Sequence, residues 1–241
     1  MTNSGSYRNK RVLINGCSFT ADSDCKNWPE HLPDNWSITN IASHAAGNQW
    51  ICDSTMVNSI KHDYDLVLIM WSGLTRIDRP INQLTWQQFW QFRNTNELGI
   101  HYGHCGVGDN PVFPMSDISK PIVKFGGLLE LVFESLLNML KLQAWLKSKN
   151  IDYRFMSFMN YWNDNYFENG KEYPSVKNLG LDALVNQIDF DKFIFADTAK
   201  NGIFELARDR DFFAQDGIHP DSRAGKLWAD IVVKETQNVK A

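Results

Sequence analysis

Short apolar runs that stop at glycine or a small polar residue alternate along this chain with longer stretches of helical period. Residues 11–15 (RVLIN) are apolar and end at Gly16, the pattern of a buried strand in a parallel sheet. Residues 36–42 (WSITNIA) predict a second, weaker strand. Residues 65–71 (DLVLIMW) predict a strong third, 152–158 (DYRFMSF) a fourth and 191–197 (DKFIFAD) a fifth. Between the second and third, residues 48–61 are moderately helical. Over 127–149, Leu129, Val132, Phe133, Leu136, Leu137 and Leu140 share an apolar face, while Glu130, Glu134, Asn138 and Lys141 share the other. Near the end, Ala224, Leu227, Trp228, Ile231 and Val232 repeat at helical spacing behind Asp221 or Ser222, either of which suits an N-cap.

Strands that alternate with helices predict an α/β domain with a mainly parallel sheet of about five strands. Two segments interrupt the alternation. Residues 77–125 carry Trp86, Phe89, Trp90, Phe92, Tyr102 and Phe113 among glycines and prolines, and residues 158–180 carry FMNYWNDNYFENGKEY. Insertions of this length usually serve as lids or binding loops. The reading is one domain over residues 1–241 with these two aromatic-rich insertions.

Bulk properties narrow the function classes. The 241 residues carry a net charge of −4 with no long basic block, which argues against nucleic acid and anionic membranes as partners. The first residues (MTNSGSYRNKR) lack an apolar signal core. The most apolar window, 127–146, is broken by Glu130, Glu134 and Lys141. These features read as a protein that is cytoplasmic as synthesised, with later release or particle association left open. Four cysteines, at 17, 25, 52 and 105, are too few for a disulfide framework in a chain this long and read as free thiols.

In open parallel sheets, ligands bind beyond the carboxyl ends of the strands. Gly16, Cys17 and Ser18 follow the first strand; Gly47 and Asn48 follow the second; Ser72, Gly73, Thr75 and Arg76 follow the third. FFAQDGIHP, late in the chain, brings Asp216 and His219. Together they offer a hydroxyl, an imidazole, a carboxylate and backbone N–H groups, the inventory of acyl transfer. A serine hydroxyl needs a base, and His219 can take its proton and return it to the leaving group. Asp216, three residues back in a glycine-containing turn, can hold the imidazole and its charge. The backbone N–H groups of Ser18 and Gly47 are candidate donors to the oxyanion. Cys17 is the neighbouring alternative nucleophile, but a small thiol beside such a turn is by default buried. Asp22 and Asp24 read as solvated loop carboxylates, and His31, His44 and His62 as surface or structural. HYGHCGVGD, at 101–109, has two histidines and a cysteine but no second ligand pair, so neither a metal nor a cofactor is expected.

GCSFT after the first strand, a glycine after the second, a turn after the third and DGIHPDSRAGKLWADIV before a final helix resemble the SGNH (GDSL-like) hydrolases, in order along the chain. The resemblance implies a flavodoxin-like three-layer α/β/α sandwich and metal-free ester or acyl-transfer chemistry. It makes Ser18 the nucleophile, His219 the base, Asp216 its partner and Gly47 an oxyanion donor. Cys17 departs from the family's Asp before the nucleophile. The third block departs further, since MWSGLTRID lacks the family's oxyanion-binding Asn. With Gly73 as the block's glycine, Thr75 takes the Asn position; with Ser72 aligned to the glycine, Leu74 does. Ser72, Thr75, Arg76 and Asn48 are the alternative donors. The Trp, Tyr, Asn, Asp and Gln of the insertions favour a short acyl group, such as O-acetyl, on a carbohydrate. A glycan-binding module with a degenerate site and an acyltransferase using the same residues are the rival readings. The implied partner in each case is a small-molecule or glycan ester.

Overall fold

Residues 9–22, 26–81, 92–95, 100–105, 119–163, 165–168 and 171–237 are described by the structure, a computed structural model. In chain order its elements are β1 (Lys10–Asn15), β2 (Trp36–Asn40), α1 (Asn48–Lys61), β3 (Leu66–Trp71), β4 (Ile77–Ile81), β5 (Phe92–Thr95), β6 (His101–Cys105), α2 (Ser119–Ser148), β7 (Tyr153–Ser157), β8 (Tyr166–Glu168), β9 (Lys171–Tyr173), α3 (Asp182–Val185), β10 (Phe193–Ile194), α4 (Ile203–Arg208) and α5 (Ser222–Gln237).

The central sheet runs β2–β1–β3–β7–β10, and every pair in it is parallel. This is the flavodoxin-like order, in which the chain steps outward from β1 to β2 and then returns past β1 to β3. Crossovers between parallel strands are right-handed, so reversing direction moves the connection to the other face. Accordingly α1 and α2 lie together on one face, tied by Lys141 to Asp53 at 2.6 Å and Trp145 Nε1 to Ser59 Oγ at 2.9 Å. On the other face α5 packs on the 3₁₀ turn Trp28–His31. Gly225 permits that approach, because a Cβ there would sit 3.1 Å from Lys26 O and Trp28 N. Covered on both sides, all six residues of β3 are buried.

Three sequence expectations shift. The second strand stops at Asn40, whose side chain accepts from Ala42 N and donates to Thr20 O, turning the chain off the sheet. The fifth strand is only Phe193–Ile194, preceded by a 3₁₀ turn. The long helix begins at Ser119 and is broken at Gly127, which takes φ 65° and ψ −167°. Its inner stripe is Leu131, Val132, Ser135, Leu136, Met139, Leu142 and Leu146, whereas Leu129, Phe133 and Leu137 are 42–49% exposed. Polar side chains cause the difference. Ser135 Oγ donates to Leu74 O, and Gln143 bridges Gln187 O and Asp189 N, so two inward positions carry polar residues.

The first insertion supplies an antiparallel sheet, β4–β6–β5, fastened to α1 by Tyr102 OH donating to Asp53 at 3.0 Å. The second supplies the hairpin β8–β9. The insertion aromatics Tyr102, Tyr161, Trp162 and Tyr173 are buried. Trp86, Phe89, Trp90 and Phe113 lie outside the described residues, as do Asp24 and Cys25. Among the described residues no helix is long and apolar enough to cross a membrane. Cys17 and Cys52 are buried free thiols.

Candidate active site

Beyond β1 the chain folds into one helical turn, in which Thr20 N and Ala21 N both donate to Cys17 O at 2.9 Å. Gly16 is needed at its start: a Cβ there would meet Thr20 Oγ1 at 2.5 Å and Met70 O at 3.0 Å. Asn27 clamps the turn from outside by donating to Ser18 O and Ala21 O, and Trp28 Nε1 donates to Thr20 Oγ1. Cys17 is fully buried, which removes it from substrate, while Ser18 retains 8% exposure. The Ser18 N–H has no acceptor among the described residues.

The second half of the site is built by the turn before α5. Ala214 N donates to His219 O, and Gly217, at φ 67°, supplies the left-handed residue the turn requires. Asp216 Oδ1 accepts the N–H groups of Ile218 and His219, both at 2.9 Å. Asp216 Oδ2 lies 2.6 Å from His219 Nδ1, and His219 Nε2 lies 2.9 Å from Ser18 Oγ. A carboxylate only accepts, so Nδ1 carries the proton and Nε2 is left to accept from the Ser18 hydroxyl. Partial burial opposes ionisation of Asp216. The bonds from the His219 ring, His219 N and Ile218 N outweigh it and hold the carboxyl below its ordinary value. Side-chain exposures of 36% for His219 and 47% for Asp216 leave the pair open to solvent. Sequence positions 18, 216 and 219 thus meet as one hydrogen-bonded chain.

The segments after β2 and β3 differ from expectation. Gly47 is the N-cap of α1 and has no side chain to satisfy the helix's first N–H groups. Asp78, on β4, does so instead: Oδ1 accepts Gly47 N–H at 2.8 Å and Oδ2 accepts Trp50 N–H at 2.7 Å. A Cβ at position 47 would lie 2.8 Å from that carboxylate, so glycine is what lets it approach. The Gly47 N–H is therefore already engaged. Asn48 is engaged too. Its Oδ1 accepts Ser72 N at 2.9 Å and its Nδ2 donates to Ser135 Oγ at 3.1 Å. Its amide stands beside the end of β3, where β1 has already turned away. Ser72 and Thr75 are fully buried, and Ser72 Oγ has no hydrogen-bond partner among the described residues. Of Gly47, Asn48, Ser72, Thr75 and Arg76, only Arg76 reaches the surface, with Nη1 donating to Ala46 O at 3.4 Å. Asp78 was not singled out in the sequence. Its signal was a helix opening on a capless glycine, which needs an acceptor from elsewhere.

The remaining candidates have structural places. Asp22 accepts from Asn40, His44 Nε2 lies 3.2 Å from Asp22 O, and His31 Nε2 lies 3.1 Å from Ser222 Oγ. His101, His104 and Cys105 lie on β6, and residues 106–109 are outside the described set. Among the described residues no three His, Cys, Asp or Glu side chains gather as a metal site.

No protein-family model and no curated relative matches the sequence. Solved structures share the fold. An esterase from Pseudoalteromonas, EstA, in a form inhibited by monoethylphosphonate, superposes with a TM-score of 0.51 at 13% identity over 95% of this chain and 97% of that one. A GDSL-like lipase from Bacteroides thetaiotaomicron gives 0.48 at 12% identity, over 96% and 90%. An acetylxylan esterase from Geobacillus stearothermophilus gives 0.48 at 14%, over 94% and 93%. The fold, a five-stranded parallel sheet flanked by helices, is the one found in SGNH hydrolases.

Proposed function

We propose that the protein is a serine ester hydrolase acting through Ser18, His219 and Asp216. The observation that carries this reading is the unbroken chain Ser18 Oγ–His219 Nε2 at 2.9 Å and His219 Nδ1–Asp216 at 2.6 Å, in which Ser18 and His219 are 201 residues apart in sequence. A structural hydrogen bond needs no third member that is itself oriented by two backbone N–H groups. Ser18 Oγ attacks the ester carbonyl as its proton passes to His219 Nε2. The tetrahedral intermediate collapses, and the departing alkoxide takes that proton. Water then attacks the acyl-enzyme, loses a proton to His219, and the acid leaves as Ser18 recovers its hydrogen. Asp216 stays ionised throughout and balances the imidazolium.

The oxyanion is assigned to the Ser18 N–H and the Arg76 guanidinium. The first has no acceptor among the described residues. The second is on the half-buried Arg76 in the turn after β3, where Nη1 also donates to Ala46 O at 3.4 Å, while the Gly47 N–H and the Asn48 amide are held by Asp78, Ser72 and Ser135. The substrate is assigned as a short acyl ester, such as O-acetyl, on a carbohydrate. The acyl assignment fits an open site, and the alcohol follows from the polar and aromatic composition of the insertions. Tyr102, Tyr161, Trp162 and Tyr173 pack inward and are not assigned to the substrate. Hydrolysis of 4-nitrophenyl acetate tests the reaction: turnover that disappears in Ser18→Ala is expected, and equal turnover in the two proteins overturns the mechanism.

One observation favours a second reading, a glycan-binding module with a degenerate site. Asp78 occupies the Gly47 N–H, so one expected oxyanion donor is lost. Binding of an acetylated oligosaccharide without any release of acetate would decide for the module.

A further inference from the structure

The residue after the nucleophile has a place of its own in this site. Phe19 is 3% exposed, and its ring centroid lies 5.2 Å from that of His219, with the planes tilted by 48°. Phe158, with its ring centroid at 4.6 Å, and Phe204, at 6.4 Å, also pack against the ring. The Phe19 ring is therefore fixed by packing, whereas the imidazole beside it is more than one-third exposed. An aromatic face attracts a cation within about 6 Å of its centroid and interacts much less with a neutral ring. In the reaction above, His219 alternates between those two states.

We propose that Phe19 is a positioning residue for His219. Its π face fixes the imidazole against Ser18 and stabilises the imidazolium that forms when the Ser18 proton is transferred. The inference rests on the ester-hydrolase reading for its catalytic consequence, and on geometry alone for the ring–imidazole interaction. Among the described residues the hydrogen-bond partners of the imidazole are Asp216, from its own turn, and Ser18, from the β1 turn. Asp216 is the charged one of the two, and replacements at Phe19 leave it in place.

Fluorination tests this with little change in shape, because each fluorine withdraws π density while the ring keeps nearly its size. Phe19 is replaced site-specifically by mono-, di- and trifluorophenylalanine in the full chain. Expected is a stepwise fall in kcat for 4-nitrophenyl acetate, reaching roughly threefold to tenfold, with KM and the thermal midpoint nearly unchanged. Phe19→Leu is expected to lose a similar factor in kcat. In parallel, NMR titration of the His219 ring in the resting protein reads the interaction without turnover, and its midpoint is expected to fall with each fluorine. A titration midpoint that stays flat across the series overturns the proposal whether or not the protein turns over ester. A flat kcat series in an active enzyme also overturns it. A falling midpoint in a protein without esterase activity would sink the hydrolase reading and leave the Phe19–imidazolium contact standing.

Discussion

Asp78→Asn is the substitution that most directly examines the unexpected half of the site. The carboxylate is 2% exposed and accepts two N–H groups, from Gly47 at 2.8 Å and Trp50 at 2.7 Å. An asparagine of the same shape offers one acceptor oxygen and turns its NH₂ toward the other N–H. One charge-assisted hydrogen bond, worth about 1.5–3 kcal/mol, is lost and a buried donor is left facing a donor. The negative charge at the start of α1 also disappears, at about 0.3–1 kcal/mol. The expected destabilisation is about 2–4 kcal/mol, read as a lower urea midpoint at unchanged slope. The same variant is expected not to gain esterase activity, because the oxyanion is assigned to Ser18 N–H and Arg76. A stability change under about 0.5 kcal/mol would refute the capping role, since neutral surface substitutions fall in that range. A clear rise in kcat would refute the oxyanion assignment and show that Asp78 holds the Gly47 donor away from the reaction.

Arg76→Ala is expected to lower kcat on 4-nitrophenyl acetate by roughly 10²-fold with KM nearly constant, and Arg76→Lys to recover part of it; equal kcat in all three proteins removes Arg76 from the chemistry. Asp221 accepts Arg223 N and Ala224 N at the start of α5, so Asp221→Ala is expected to cost about 1 kcal/mol in thermal or urea unfolding, and an unchanged midpoint contradicts the cap. The folded-state pKa of Asp216 is lowered, so its contribution to stability is fully present above the ordinary carboxylate value and is lost as pH falls through the folded value. Acid unfolding of Asp216→Asn is therefore expected to be shallower below about pH 4; identical acid profiles would show that the His219 and backbone contacts do not favour the charged form.

The two poles of the site were legible because each is local. Ser18 follows an apolar run that stops at Gly16, and Asp216 and His219 share one turn whose Gly217 and following helix are written in adjacent residues. The sheet was legible for the same reason, since buried parallel strands are continuous apolar runs. What escaped depended on distant partners. Asp78 looks like an ordinary strand-edge acid until β4 brings it to the capless end of α1. Asn48 looks like a donor until its amide meets the end of β3. The inner face of α2 was misread because Ser135 and Gln143 point inward to loop backbone, and three apolar neighbours point outward. A fifth strand of seven residues was expected where Phe193–Ile194 suffices, because a 3₁₀ turn takes up the preceding residues.

The central claim is that Ser18 is a nucleophile activated by His219. Labelling of the folded protein with a fluorophosphonate, followed by peptide mass spectrometry, tests it most directly. One adduct is expected, on the peptide carrying Ser18, with labelling lost in Ser18→Ala and slowed by at least about 10³-fold in His219→Ala. No adduct on folded protein, or an adduct that forms equally fast without His219, would contradict it.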